Sequence, residues 1–264
     1  MAERATGSAT LGSGTLLHLD EVDSTNSEAM RRAAAGATPP LWVLAARQTA
    51  GRGRSSRAWA SLDGNLNASL LISLACPVSV AAQLSLVAGV AAIDAMRDAA
   101  PEISGRVRLK WPNDLLLDGA KLGGILVESS EVAGCLHAVV GFGINLAASP
   151  SDLGRAVTCL AQHGAAPSPP AFQARLADAM SAWLEHWNEG CGFAAVRSAW
   201  MDRAGSIGEP LRVHAGTTSI SGRFAGLDVD GSLLLAMDGN RIQRVAAGDV
   251  TLGGEPAERR RQEE

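Results

Sequence analysis

Lysine is nearly missing from this chain. Two lysines, Lys110 and Lys121, stand among 264 residues that hold 21 arginines, and tyrosine is absent. A chain that uses arginine for every other cation could have used it here too, so a merely solvating role for this close pair is disfavoured. Cysteine is scattered: Cys76, Cys135, Cys159 and Cys191 form no C-x-x-C pair. That argues against a disulfide framework and reads as reduced, mostly buried thiols of a cytoplasmic protein. Positive charge is not in excess. The net charge of −4 at pH 7 gives no general field toward nucleic acid or an anionic membrane. The first fourteen residues, MAERATGSATLGSG, hold no apolar run of the kind a secretory signal needs, and read as a disordered leader. The longest apolar stretch, Val78–Met96, is interrupted by Gln83, Ser85 and Asp94 and is sized as a buried core helix rather than a membrane span.

Familiar catalytic signatures are missing as well. There is no G-x-x-x-x-G-K-[ST] phosphate loop and no G-x-S-x-G elbow, and the five histidines fall in separate elements with no metal-ligand spacing. What remains is ample folding material: 47% of residues are apolar and 19% charged. A chain of this size buries about 70–75% of its unfolded surface, enough for one large domain or two smaller ones.

The pattern mixes strands and helices. Residues 15–22 read as a strand, and Asp23-Ser24-Thr25-Asn26 offers N-cap side chains to a helix over 27–35 that Gly36 ends. Strands follow at 41–46 and 66–74, then a long apolar helix at 79–100 stopped by Pro101. Three more strand runs, 107–110, 115–117 joined through Asp118-Gly119 to 121–128, and 136–142, complete an α+β body with a largely antiparallel sheet. A Pro-rich loop near 148–170 leads to helices at 169–188 and 192–203. From 210 to 252 short strands alternate with tight turns, which predicts a small barrel beyond a boundary near 205–208. The division is a leader (1–14), a main body (15–206), the barrel (207–253) and a charged tail (254–264).

Three stretches can carry chemistry. The first, Gln48-Thr-Ala-Gly-Arg-Gly-Arg-Ser-Ser-Arg-Ala-Trp59, packs Arg52, Arg54 and Arg57 with two glycines into a loop. Glycines let backbone N–H groups approach an oxyanion, guanidinium groups grip phosphate or carboxylate, and an indole face can stack on a base. Such a loop is ordinarily solvated or a nonspecific nucleic-acid patch, but no second basic stripe accompanies it. The second, Leu109 to Glu128, holds both lysines around Trp111-Pro112-Asn113-Asp114. A lysine leading into a strand ordinarily snorkels to solvent; a compact ammonium can also lie between two anions. The third, Val139-Val-Gly-Phe-Gly-Ile-Asn-Leu146, is a strand ending in a glycine turn, too short of glycines for a dinucleotide fingerprint.

In this order and at these spacings the motifs resemble the biotin protein ligase family. The matching pieces are Asp23-Ser-Thr-Asn26, Gly51-Arg-Gly-Arg54-x-x-Arg57-x-Trp59, Lys110-Trp-Pro-Asn-Asp114, Lys121-Leu-Gly-Gly-Ile-Leu126 and Gly141-Phe-Gly-Ile-Asn145, within a likeness running from about residue 15 to 252. The resemblance implies a class II synthetase-like mixed sheet with flanking helices and an SH3-like C-terminal barrel. It implies ATP with Mg²⁺ as cofactors, biotin as substrate, and a biotin carboxyl carrier domain of an acyl-CoA carboxylase as partner. Biotin and ATP would give biotinyl-5′-AMP, from which a carrier lysine takes biotin.

By the same resemblance Lys121 and Arg52 are catalytic. Ser24, Thr25, Asn26, Gln48, Gly51, Arg52, Gly53, Arg54, Lys121 and Gly124 hold biotin. Arg54, Arg57, Trp59, Lys110, Asn113, Lys121 and Asn145 line the nucleotide side. The Mg²⁺ ligands, the barrel's role and the choice between monomer and homodimer stay open, with no nucleic acid or membrane expected. The arginine loop is expected to order over 51–59 when ligand binds.

Two departures stand out. Many relatives carry glycine before the last arginine of the loop, where this chain has Ser55-Ser56; if a positive φ is needed there, serine costs about 1 kcal/mol. Bifunctional relatives carry a winged-helix DNA-binding domain before the D-S-T-N motif. Only 22 residues precede that motif here, which predicts a ligase that is not a repressor. A lipoate or octanoate ligase shares the fold. A non-catalytic biotin sensor could dispense with Lys121 or the arginines, all of which are present.

Overall fold

A computed structural model describes residues 5–11, 14–151, 154–165, 167–216 and 218–253. Its larger sheet has eight strands in the order β1-β2-β3-β4-β8-β7-β6-β5. Strand β1 (Ala5–Leu11) pairs antiparallel with β2 (Gly14–Val22), and helix α1 (Thr25–Ala34) crosses over to β3 (Leu41–Gln48), parallel to β2. Ser24 caps α1, its side chain accepting the Ser27 N–H, and Gly36 turns the chain away at a φ of 82°.

The remaining strands of this sheet are antiparallel. They are β4 (Leu66–Leu74), β5 (Val107–Lys110), β6 (Asp114–Leu117), β7 (Ala120–Val132) and β8 (Cys135–Ile144). Asp118 and Gly119 both take positive φ, the backbone that a tight β6–β7 hairpin requires. Between β4 and β5 the long apolar segment forms α2 (Val78–Ala81) and α3 (Leu84–Ala99). The expected single helix is broken at Ala82-Gln83, where the Gln83 side chain accepts the Trp187 indole N–H at 2.8 Å.

Helices α4 (Pro169–Trp187) and α5 (Phe193–Met201) pack with α3 on one face of the sheet, while α1 covers the other. Alternation sorts the strands between them. Trp42, Leu44, Leu70, Val140 and Phe142 join the large core, and Val43, Leu71 and Val139 join Ala29 and Ala33 under α1.

One expectation is corrected at the N-terminus. Within the anticipated disordered leader, Ala5–Leu11 is a strand; the rest of that leader up to Ser13, and the charged tail, lie outside the described residues. An edge strand is recruited by the unpaired backbone of its neighbour, which small-residue composition does not reveal.

The C-terminal unit is a five-stranded antiparallel sheet in the order β12-β11-β10-β9-β13. The strands are β9 (Pro210–Ala215), β10 (Thr218–Leu227), β11 (Leu233–Met237), β12 (Arg241–Val245) and β13 (Asp249–Leu252). Its buried Val213, Phe224, Leu233 and Leu235 belong to the same core as α3. The Trp111 indole donates to Gly231 O at 3.0 Å, and Arg108 pairs with Glu209, so two unlike sheets pack as one structure.

Candidate active site

The motifs meet at the head of α1. A cavity of about 260 Å³ opens there, between the arginine loop, strands β6 to β8 and the near edge of the C-terminal sheet. Of the residues singled out from the sequence, Ser24, Thr25, Asn26, Gln48, Arg52, Gly53, Arg54, Arg57, Trp59, Lys110, Asn113, Lys121 and Gly124 all line it.

Two do not. Gly51 is buried behind the wall, its carbonyl accepting the Trp59 N–H at 2.9 Å. Asn145 does not line the cavity: it is 2% exposed, bonded to Thr158 O at 3.0 Å and to the Asn65 amide at 3.3 Å. Strand β8 ends at Ile144, so the alternation that sets Gly141 and Gly143 along the cavity is lost one residue before Asn145.

At one end, the turn into α1 meets the end of β3. Gln48 Oε1 accepts the Thr25 N–H at 2.8 Å and the Thr25 hydroxyl at 3.1 Å. Asn26 donates to Glu128 Oε2 at 2.7 Å and lies against Gly141, where any Cβ would overlap its amide. At the other end, Lys110 and Asp114 close the β5–β6 hairpin as an ion pair of 3.1 Å, and the second Asp114 oxygen takes Lys121. Both lysines of the chain therefore bind one carboxylate.

Burial alone would raise the Asp114 carboxyl, but the two ammonium groups outweigh it and hold it well below the usual carboxylate range. Burial pushes Lys121 below the ordinary lysine value; Asp114 pulls it upward, and Arg155 and Lys110 push it further down. Gly124 lies beside the Lys121 ammonium, and a Cβ there would stand 3.4 Å from Nζ, in ordinary van der Waals contact.

The arginine loop lies across the cavity as a small hairpin, bridged between Arg52 and Ala58. Arg52 reaches Ser27 at 2.9 Å and Glu128 at 3.2 Å. Arg54 contacts Asn113, Gly248 O and Asp249, and Arg57 pairs with Asp249 at 2.9 Å. Ser55 and Ser56 both adopt positive φ, 54° and 57°, so the serine departure falls where glycine costs least.

Several lining residues were not singled out. Asp114 is one of them, although its spacing of four from Lys110 is a signal readable in the sequence. Arg155 is carried in by a parallel bridge between Lys121 and Val157. His214, Asp249 and Thr251 come from β9 and β13. No local pattern marks these four, because tertiary packing alone brings them here. Among the described lining residues six are cationic and two acidic, a local excess of four positive charges in a chain of net charge −4.

A cation-lined cavity at a helix head, roofed by an arginine loop and walled by a second sheet, can hold two anions side by side. The chain belongs to the biotin/lipoate A/B protein ligase family, whose model matches residues 20–145; residues 206–253 match the biotin protein ligase C terminal domain. It is 40% identical over 244 residues to a biotin–[acetyl-CoA-carboxylase] ligase of Paracoccus denitrificans, covering 89% of this chain and 100% of that one. It is 33% identical to the ligase of the same name from Mycobacterium tuberculosis, over 87% of this chain and 86% of the relative. In three dimensions it resembles the biotin protein ligase of Aquifex aeolicus in complex with biotin and ATP. That match has a TM-score of 0.75 at 27% identity, and covers 90% of this chain and 98% of the other.

Proposed function

We propose that this chain is an ATP-dependent biotin protein ligase, which makes biotinyl-5′-AMP and passes biotin to a lysine of a biotin carboxyl carrier domain. The positive excess around Lys121 is the observation that carries the reading. In the first step a biotin carboxylate oxygen attacks the α-phosphorus of ATP, and the bond to the β-phosphate oxygen breaks to release pyrophosphate. Two like charges 4 Å apart repel by about 4 kcal/mol at an effective dielectric constant of 20. Cations fixed beforehand cancel that repulsion, and such positioning dominates phosphoryl chemistry. Lys121, steadied by Asp114, offers an ammonium to both anions, with Lys110 on the nucleotide side and Arg52 and Arg54 over the adenylate. Thr25 and Gln48 take the biotin ring, and Trp59 flanks adenine. In the second step a neutral acceptor amine attacks the acyl carbon, loses its proton, and AMP departs with the former carboxylate oxygen.

Mg²⁺ enters with ATP as part of the substrate, held chiefly by phosphate oxygens. Among the described residues no group of three or more histidine, cysteine or acidic side chains forms a protein cage for it. The four cysteines are free, which fits a cytoplasmic setting, but the expected burial is corrected: Cys159 alone is buried, and Cys135 and Cys191 are exposed. The match to a biotin protein ligase C-terminal domain favours biotin over lipoate. Incubation with ATP, Mg²⁺, biotin and an isolated carrier domain is expected to biotinylate one carrier lysine, read by streptavidin blot and peptide mass. A carrier left unmodified with biotin but lipoylated at that lysine when lipoate replaces biotin would overturn the reading.

A further inference from the structure

Behind the cavity, the α1-facing side of β4 and β8 changes character along the strands. Leu71 and Val139, cross-strand neighbours, belong to the small apolar core under α1. Two residues along, Ser69 pairs with Gly141, and two further along Asn67 pairs with Gly143. Asn67 is fully buried yet is not a lining residue. A buried amide costs stability unless its hydrogen bonds are complete, and Asn67 Nδ2 is buried with no hydrogen-bond partner among the described residues. Its Oδ1, by contrast, accepts twice: from Gln48 Nε2 at 3.3 Å and from Trp59 Nε1 at 3.2 Å.

Those partners determine which way each amide faces. An indole nitrogen only donates, so the Asn67 atom beside it is the oxygen. The same oxygen requires the NH₂ of Gln48, which leaves Gln48 Oε1 for the Thr25 N–H. The Trp59 ring in turn lies over Gly143, where a Cβ would overlap it. One buried oxygen thus joins the Gln48 end of the cavity to its Trp59 wall.

We infer that Asn67 is a positioning residue, which orients the Gln48 amide toward biotin and holds Trp59 against the nucleotide side, coupling the two substrate subsites. The inference rests on the biotin and ATP reading of the cavity. Its unsatisfied Nδ2 marks a position kept for the site rather than for stability.

Calorimetry with biotin tests this on the full chain, comparing the unaltered protein with Asn67→Leu, Gln48→Ala and the double variant. Asn67→Leu is expected to weaken biotin binding about tenfold, the effect of losing roughly one hydrogen-bonded contact. Its thermal midpoint is expected to fall only slightly, since removal of the unsatisfied Nδ2 is offset by two donors, Gln48 Nε2 and Trp59 Nε1, left without an acceptor. In adenylate formation KM rises for both biotin and ATP with kcat within about twofold, the signature of lost ground-state positioning. In the Gln48→Ala background Asn67→Leu has no further effect on biotin affinity. If Asn67→Leu does not fold, Asn67→Ser serves, because one short hydroxyl cannot hold both donors. Unchanged biotin affinity, or an equal loss with and without Gln48, overturns the inference. An unaltered protein that binds no biotin overturns the ligase reading instead.

Discussion

Asp114 shows how one side chain sets the chemistry of another. It accepts from both lysines of the chain, and all three groups are largely buried. Removing one partner of a buried ion pair leaves the other uncompensated, so Asp114→Asn is expected to destabilise by about 3 kcal/mol in urea unfolding. The carboxyl is depressed, so its contribution is present above the unfolded value of about 4 and is lost as pH falls through the lower folded value. Asp114 is also the influence that raises Lys121 against burial, Arg155 and Lys110. In Asp114→Asn the alkaline limb of biotin-dependent pyrophosphate exchange is therefore expected to move to lower pH. An unmoved limb would mean that Lys121 does not set it. The scarcity of lysine made this pair visible in the sequence. That both lysines would bind one carboxylate was visible only in part, because Lys121 reaches Asp114 across a hairpin whose register includes a bulge.

The arginine loop is held closed by contacts that are individually weak. Arg52, Arg54 and Arg57 pair with Glu128 and Asp249, and the groups in these pairs are 26–43% exposed. Pairs of that kind contribute about 0–1 kcal/mol each, so the closed arrangement is easily opened. Ser55 and Ser56 weaken it further, since left-handed backbone costs a non-glycine residue about 1–2 kcal/mol. Ser56→Gly removes that cost but adds about 0.5–1 kcal/mol of freedom to the open loop. A net gain for the closed form is expected, read as roughly twofold slower tryptic cleavage between 52 and 57. Biotin is expected to protect the same bonds, and protection that does not depend on ligand would contradict a loop that orders on binding. Asp249→Ala is expected to speed release of biotinyl-5′-AMP several-fold by freeing Arg54 and Arg57, measured by filter binding. Loop, turn and hairpin signals were legible because Gly, Asp-Gly and N-cap residues act locally. The break between α2 and α3 was not, because Trp187, far along the chain, supplies its hydrogen bond.

The two sheets work as one body. Trp111 lies in the motif that carries Lys110 and Asp114, yet its indole N–H is bonded to Gly231 of the C-terminal unit, and Leu86 and Phe193 pack around the same glycine. Trp111→Phe strands that carbonyl in a buried setting and is expected to cost about 1–3 kcal/mol, with one unfolding transition retained. Two separate transitions would show that the sheets unfold independently. The fold class was legible because hydrophobic periodicity and turn spacing are properties of single elements. His214, Asp249 and Thr251 were not, since β9 and β13 reach the cavity only when the C-terminal sheet docks against α3 and α5.

The proposed chemistry turns on Lys121 joining two anions, and one assay addresses that directly. Purified protein is incubated with biotin, ATP and Mg²⁺ beside Lys121→Ala and beside a sample given lipoate, and each is searched for the acyl adenylate by mass spectrometry. Biotinyl-5′-AMP is expected from biotin alone, with its rate of formation lowered about 10²–10³-fold in Lys121→Ala, the loss typical of one preorganised electrostatic group. No adenylate from the unaltered protein, or equal rates from both, would contradict the account.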